Sequence, residues 1–120
     1  MRWVARLLAF AFLAVGLCGQ VRAEKWYKVR ATEYSAWFQG RVMADGYRYR
    51  NAAFTAASRT LPFGTILLVS SVKTHRSVVV VVTDRGPWHY KFSLDLSRAA
   101  AKEIGLTDAK GWIWVRYRRL

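Results

Sequence analysis

The sequence predicts a mainly β domain closed into a barrel. Apolar and polar residues alternate near both ends of the 120-residue chain, in "KWYKVRATEYS" and "WIWVRYR". Five consecutive valines, Val78 to Val82, run through its middle, and only "DLSRAAAKEIG" has the composition of a helix. Alternation with a period of two marks half-buried strands, and pairing strands from the two ends of one small chain removes the exposed edges of a sheet.

The first element is not part of that barrel. "MRWVAR" is a basic start, "LLAFAFLAVGL" is an apolar run too short to span a bilayer, and "VRA" ends in a small residue, so residues 1–23 are expected to be a secretory signal and residues 24–120 the domain. A buried or anchoring N-terminal helix, or a lipid anchor on Cys18, is the alternative. Removal of residues 1–23 takes away Arg2, Arg6, Arg22 and Cys18 but no acid, so a net charge of +13 becomes +10, 17 basic residues against 7 acidic. A cysteine-free domain of this size has no disulfide framework and depends on its core. So basic a chain seeks an anionic partner; export makes cell-wall polymer or anionic lipid a better partner than nucleic acid. No further membrane-spanning segment is expected, and neither cofactor, metal nor oligomer is implied.

Along the domain, Tyr27, Val29 and Ala31 fall on one side of a strand and Lys28, Arg30 and Thr32 on the other. "FQGRVMADGYRYRN" reads as turns and a surface loop, with Gly40, Gly46 and an Asp-Gly pair. "AAFTAAS" reads as a short helical turn and "LPFGT" as a break. "TILLVSSV" and "SVVVVV" are strands joined by "KTHR", the second apolar on both faces and therefore central or barrel-lining. In the helix Ser97 is the expected N-cap, and Gly105 fits the position past its end. Trp112 and Trp114 then share one face of a closing strand, as packing or as a patch that meets a partner.

"TAASRTLPFGT", "SVVVVVTDRGPW" and "LDLSRAAAKEIG", in that order and spacing, resemble the rare lipoprotein A (RlpA)-like double-psi β-barrel family, related in fold to the expansins. The resemblance spans about Val29 to Arg116 and includes "ATEYS" and "FQGRVMADGYRY". It implies a six-stranded double-psi barrel with one or two short helices, an envelope or periplasmic location, and peptidoglycan glycan strands as ligand. The activity it implies is endolytic lytic transglycosylation, which cleaves between N-acetylmuramic acid and N-acetylglucosamine and leaves 1,6-anhydro ends.

On that resemblance Asp84, where the valine strand meets "RGPW", is the candidate acid and base, because one positioned carboxyl can protonate the leaving oxygen and then take the proton of the sugar's 6-hydroxyl. The structural alternative is an aspartate that bonds the amides of its own turn. Tyr47, Tyr49, Ser58, Arg59, Arg85 and Trp88 are the candidate substrate contacts, since rings pack on sugars and arginines bond hydroxyls and carboxylates. Tyr47, Arg50 and Ser58 stand where the family pattern has glutamate, aspartate and histidine. Arg48, Arg50 and Arg59 add cations where proton donation needs acids. Asp45 and His89 are weaker candidates for the missing partners, and Asp95 is read as a structural residue at the helix start. Enzyme and non-catalytic polysaccharide-binding barrel both stay open; a cationic surface protein for nucleic acid or anionic lipid rests on charge alone.

Overall fold

The computed structural model describes residues 25–106 and 111–120, so the expected signal and Cys18 lie outside the described residues. Six strands form a closed barrel: β1 (Tyr27–Glu33), β2 (Thr55–Ala57), β3 (Ile66–Ser71), β4 (Ser77–Asp84), β5 (Leu94–Leu96) and β6 (Trp112–Arg119). Around the barrel they run β1-β5-β2-β4-β3-β6. The pairs β1–β5 and β2–β4 are parallel, the other four antiparallel. A 3-10 turn (Ala36–Phe38) follows β1, and α1 (Arg98–Glu103) lies between β5 and β6. Among the described residues no helix is long and apolar enough to cross a membrane.

Alternation decides which side chains fill the barrel. Leu67 and Val69 of β3, Val78, Val80 and Val82 of β4, Leu94 and Leu96 of β5, and Ile113 and Val115 of β6 pack in one cluster with Ala100 and Ala101 of α1 and Ile104 at its C-terminal end. The valine run is not buried on both faces as its composition suggested: Val79 is 47% exposed, because a small barrel has only one inside. At the start of α1 the Ser97 hydroxyl accepts from Ala100 N–H at 3.3 Å and donates to Ala53 C=O at 2.6 Å. Gly105, at φ +78°, carries the chain out of the helix in a conformation that favours glycine.

The sequence reading misplaced two elements: Asp95 and Leu96, read as the start of the helix, belong to strand β5, and the other is "AAFTAAS", read as a helical turn. Its central residues are strand β2, held on one side by β4 and on the other by β5. Three residues are too few to show a period, and the alanines that suggested a helix serve here as small side chains between two neighbours. Ala56 points into the barrel core, whereas Ala57 belongs to a second buried cluster with Tyr34, Met43 and Tyr49. That cluster is a lid of loop side chains over the outer face of β2.

Candidate active-site groove

The site grows from a register shift. Along β2 and β4, Ala56 pairs with Val82 but Ala57 pairs with Asp84, which skips Thr83. Regular alternation would send Asp84 to the side of Val78, Val80 and Val82, the barrel interior. The bulge instead brings it level with Ala57, on the outer face. On the other flank of β2, Ala57 pairs with Asp95, and Asp95 pairs with Thr32 of β1. Thr32, Asp95, Ala57 and Asp84 therefore form one transverse row across four strands, with a methyl group between the two acids.

Around this row the loops build a groove of about 370 Å³, lined by Tyr34, Phe38, Ala44, Asp84, Arg85, Gly86, Pro87, Trp88 and Asp95. Asp84 is fixed by three donors: Tyr34 O–H reaches Oδ2 at 2.6 Å, and the N–H groups of Ala44 and Arg85 each reach Oδ1 at 2.8 Å. Asp84 therefore bonds amides of the adjoining loops, as in the structural reading, and also lines the groove. Burial, reinforced by Asp84, raises the Tyr34 hydroxyl well above the usual tyrosine range and keeps it a donor.

Asp95 differs from its partner. Burial pushes its carboxyl up to about 7, with the negative charges of Asp84 and Glu33 adding to the rise; a 3.0 Å hydrogen bond from the Thr32 hydroxyl opposes it. The structural role at the helix start expected for Asp95 is held by Ser97 alone, while the Asp95 side chain turns to the groove. A signal was present in "LDLS": two leucines that alternate around an acid define a strand whose middle side chain leaves the core.

Several expected substrate contacts are structural. Tyr49 is 1% exposed, and its hydroxyl accepts from Arg98 N–H at 3.1 Å. Ser58 is 3% exposed and turns its hydroxyl to Leu61 N–H at 3.1 Å and Thr60 N–H at 3.3 Å. Tyr49 was expected in the groove as a ring for sugar packing and Ser58 as the residue at the family's histidine position, and both are buried against β2. Arg59 donates to the carbonyls of Pro87 and Phe92, which braces the groove lip. Arg85 donates to the carbonyls of Ser58 and Leu61 and stacks on Phe63 at 3.9 Å, although it still lines the groove. Arg48 donates to Gly40 C=O at 2.8 Å, and Arg50 is exposed.

Trp88 and Tyr47 remain open, at 79% and 74% exposure, with only Trp88 on the groove lining. Asp45 accepts from Tyr47 N–H at 3.0 Å, the bond of a turn rather than of a groove acid. His89 is exposed, stacks on Tyr90 at 5.2 Å and is not itself a lining residue. Gly86, at φ +128°, and the cis peptide to Pro87 shape the lip between Arg85 and Trp88.

A family model described as lytic transglycolase matches residues 30–117, the barrel and groove together. The chain belongs to this RlpA-like double-psi β-barrel family. Among curated relatives, the probable endolytic peptidoglycan transglycosylase RlpA of Aquifex aeolicus is 43% identical over 94 residues, 78% of this chain and 42% of that one. The endolytic peptidoglycan transglycosylase RlpA of Haemophilus influenzae is 47% identical over 76 residues, 63% of this chain and 26% of that one. The chain thus spans less than half the length of these RlpA relatives. Among solved structures, the apo expansin of Clavibacter michiganensis superposes with a TM-score of 0.62 at 25% identity, over 80% of this chain and 50% of that one. A Streptomyces papain inhibitor gives 0.62 at 21% identity, over 80% and 94% of the two chains, a likeness of fold alone.

Proposed function

We propose that this chain is an exported envelope protein that cleaves peptidoglycan glycan strands by lytic transglycosylation, with Asp95 as acid and base and Asp84 as its electrostatic partner. The observation that carries this reading is two carboxyls on one row of one groove, in environments that set them apart. Asp95, pushed up to about 7, holds a proton near neutral pH and gives it to the glycosidic oxygen as the bond to the anomeric carbon breaks. Its conjugate base then takes the proton of the 6-hydroxyl of the same sugar, whose oxygen closes on the anomeric carbon to form the 1,6-anhydro ring. No water is consumed. Asp84, which accepts three hydrogen bonds, faces the positive charge that builds on the sugar ring between these steps. Trp88 at the lip offers an open ring face for sugar packing.

The relatives named as peptidoglycan transglycosylases support this reading. A second reading, a glycan-binding barrel without turnover, is favoured by the replacement of the family's glutamate, aspartate and histidine with Tyr47, Arg50 and Ser58. Incubation of the purified protein with denuded glycan strands, followed by mass analysis of the fragments, separates the two. Anhydro-ended fragments that vanish in Asp95→Asn establish the enzyme; strand binding without fragments establishes the binding barrel.

Tyr34→Phe tests the partner role of Asp84. It keeps the ring contact with Tyr49, 4.5 Å between centroids, and removes only the hydroxyl donor. A hydrogen bond to a charged group contributes about 1.5–3 kcal/mol, so kcat should fall roughly ten- to a hundredfold. KM should change little. Equal kcat in the variant would mean that Ala44 and Arg85 N–H suffice to hold Asp84.

A further inference from the structure

Away from the groove, the outer face of β6 and its neighbours gathers cations and tryptophans, and no acid is among the described residues of β6, β3 or the part of β1 that carries Lys28 and Arg30. Side chains on that face are Lys28 and Arg30 of β1 and Trp114, Arg116 and Arg118 of β6, with Trp26 just before β1. Arg116 pairs directly with Lys28 on one side and with Ser70 on the other. Like charges opposite each other on adjacent strands destabilise a sheet, so an unliganded barrel bears a cost here that an anion would remove. Arg30 lies 4.8 Å from the Trp114 ring and 5.1 Å from Trp112, and among the described residues its buried Nε has no acceptor. Lys28 lies 5.1 Å from the Trp114 ring, and Arg118 5.5 Å from that of Trp26. Lys28 to Tyr34 at the groove is six residues, roughly 20 Å of strand at about 3.3 Å each.

We propose that this face docks on an anionic phospholipid surface, with the cations on lipid phosphates and Trp26 and Trp114 at headgroup depth. Two features select lipid over a glycan chain. Sugar packing needs open ring faces, and here cations already lie against them; a membrane interface asks of tryptophan only an amphipathic ring at headgroup level beside Lys and Arg. Trp26 and Trp114 are also 45% and 39% exposed, and the apolar Leu120 beyond β6 is 56% exposed, so the cations sit beside surface able to enter the headgroup layer. This inference is independent of the reaction in the groove.

The test is co-sedimentation of the full chain with phosphatidylcholine vesicles, with and without about one third phosphatidylglycerol, at low and high salt. Each surface cation near an anionic leaflet contributes about fivefold to partitioning, so the double variant Lys28→Gln, Arg116→Gln should lose roughly 25-fold on anionic vesicles. It should change little on neutral ones, where no anionic surface attracts the lost cations. Both positions are exposed, and the thermal midpoint of the variant should equal or exceed that of the wild type because their mutual repulsion is gone. Wild-type partitioning that ignores phosphatidylglycerol would overturn the proposal without recourse to any variant. So would a variant that leaves vesicles unaffected but releases denuded glycan strands, an outcome that would assign the face to polysaccharide.

Discussion

Asp95→Asn should abolish glycan cleavage and at the same time make the barrel more stable above neutral pH. The amide keeps the shape and still accepts the Thr32 hydrogen bond, yet has no proton to give; removal of a general acid costs about 10²- to 10⁴-fold in rate. The stability effect follows from where the carboxyl titrates. Folding raises it from 3.8 to about 7, so the folded state binds the proton more tightly than the unfolded chain does. That contribution is fully present below about 4 and is lost as pH rises through about 7. At about 1.36 kcal/mol per tenfold change in proton affinity the rise corresponds to about 4 kcal/mol at most. Partial exposure of the carboxyl reduces that to about 2. For a domain of this size the asparagine variant should therefore melt about 10 °C higher at pH 8, and the two proteins should converge as pH is lowered toward about 4. The wild-type rate should fall through the same window as its acid loses the proton. Equal melting at pH 8 would show that Asp95 is solvated like any surface acid and would remove it as the donor.

Leu96→Ala should be the most damaging single truncation near the site. Leu96 is fully buried, its neighbour Asp95 reaches the groove, and its carbonyl accepts from Tyr34 N–H at 2.9 Å. Loss of such a leucine costs about 3 kcal/mol through transfer and cavity terms, a large share of the 5–15 kcal/mol typical of a whole domain. The urea midpoint should drop sharply at unchanged slope, and the fraction that stays folded should cleave more slowly because β5 no longer seats Asp95. A loss below about 1 kcal/mol would mean that α1 can collapse into the gap.

Alternation made the long strands legible. β3, β4 up to Val82 and the first half of β6 bury every second residue, β1 buries Ala31, and helix α1 announces itself through Ser97 and Gly105. β2 was not legible, because three residues hold their strand form through hydrogen bonds to β4 and β5 rather than through any pattern of their own. The same limit explains the site. Asp84 was found from a motif, but its partner depends on β5 reaching the far side of β2, a fact of topology with no local trace beyond the two leucines around Asp95. Tyr49 lies in a stretch that sequence reads as an open loop and Ser58 ends one it reads as a helical turn; only tertiary closure over Ala57 shows that they are walls and not contacts. Tyr34 had no signal of its own, since nothing in "ATEYS" says which ring will meet a carboxylate 50 positions later.

The row that joins Asp95, Ala57 and Asp84 also acts as a ruler. Neighbouring strands are about 4.8 Å apart, so the two acid-bearing backbones are held roughly 10 Å from each other by the hydrogen-bond lattice itself. No loop takes part in that measurement. Phe38, Trp88 and the Gly86–Pro87 lip can therefore drift, and with them the shape of the sugar or peptide that is admitted, while the gap that the reaction spans stays constant. A change at Ala57 has a different character: it is buried beneath Tyr34, Met43 and Tyr49, so any larger side chain there stands between the carboxyls and pushes on those covering residues as well. Selectivity at the lip is thus free to vary without the chemistry.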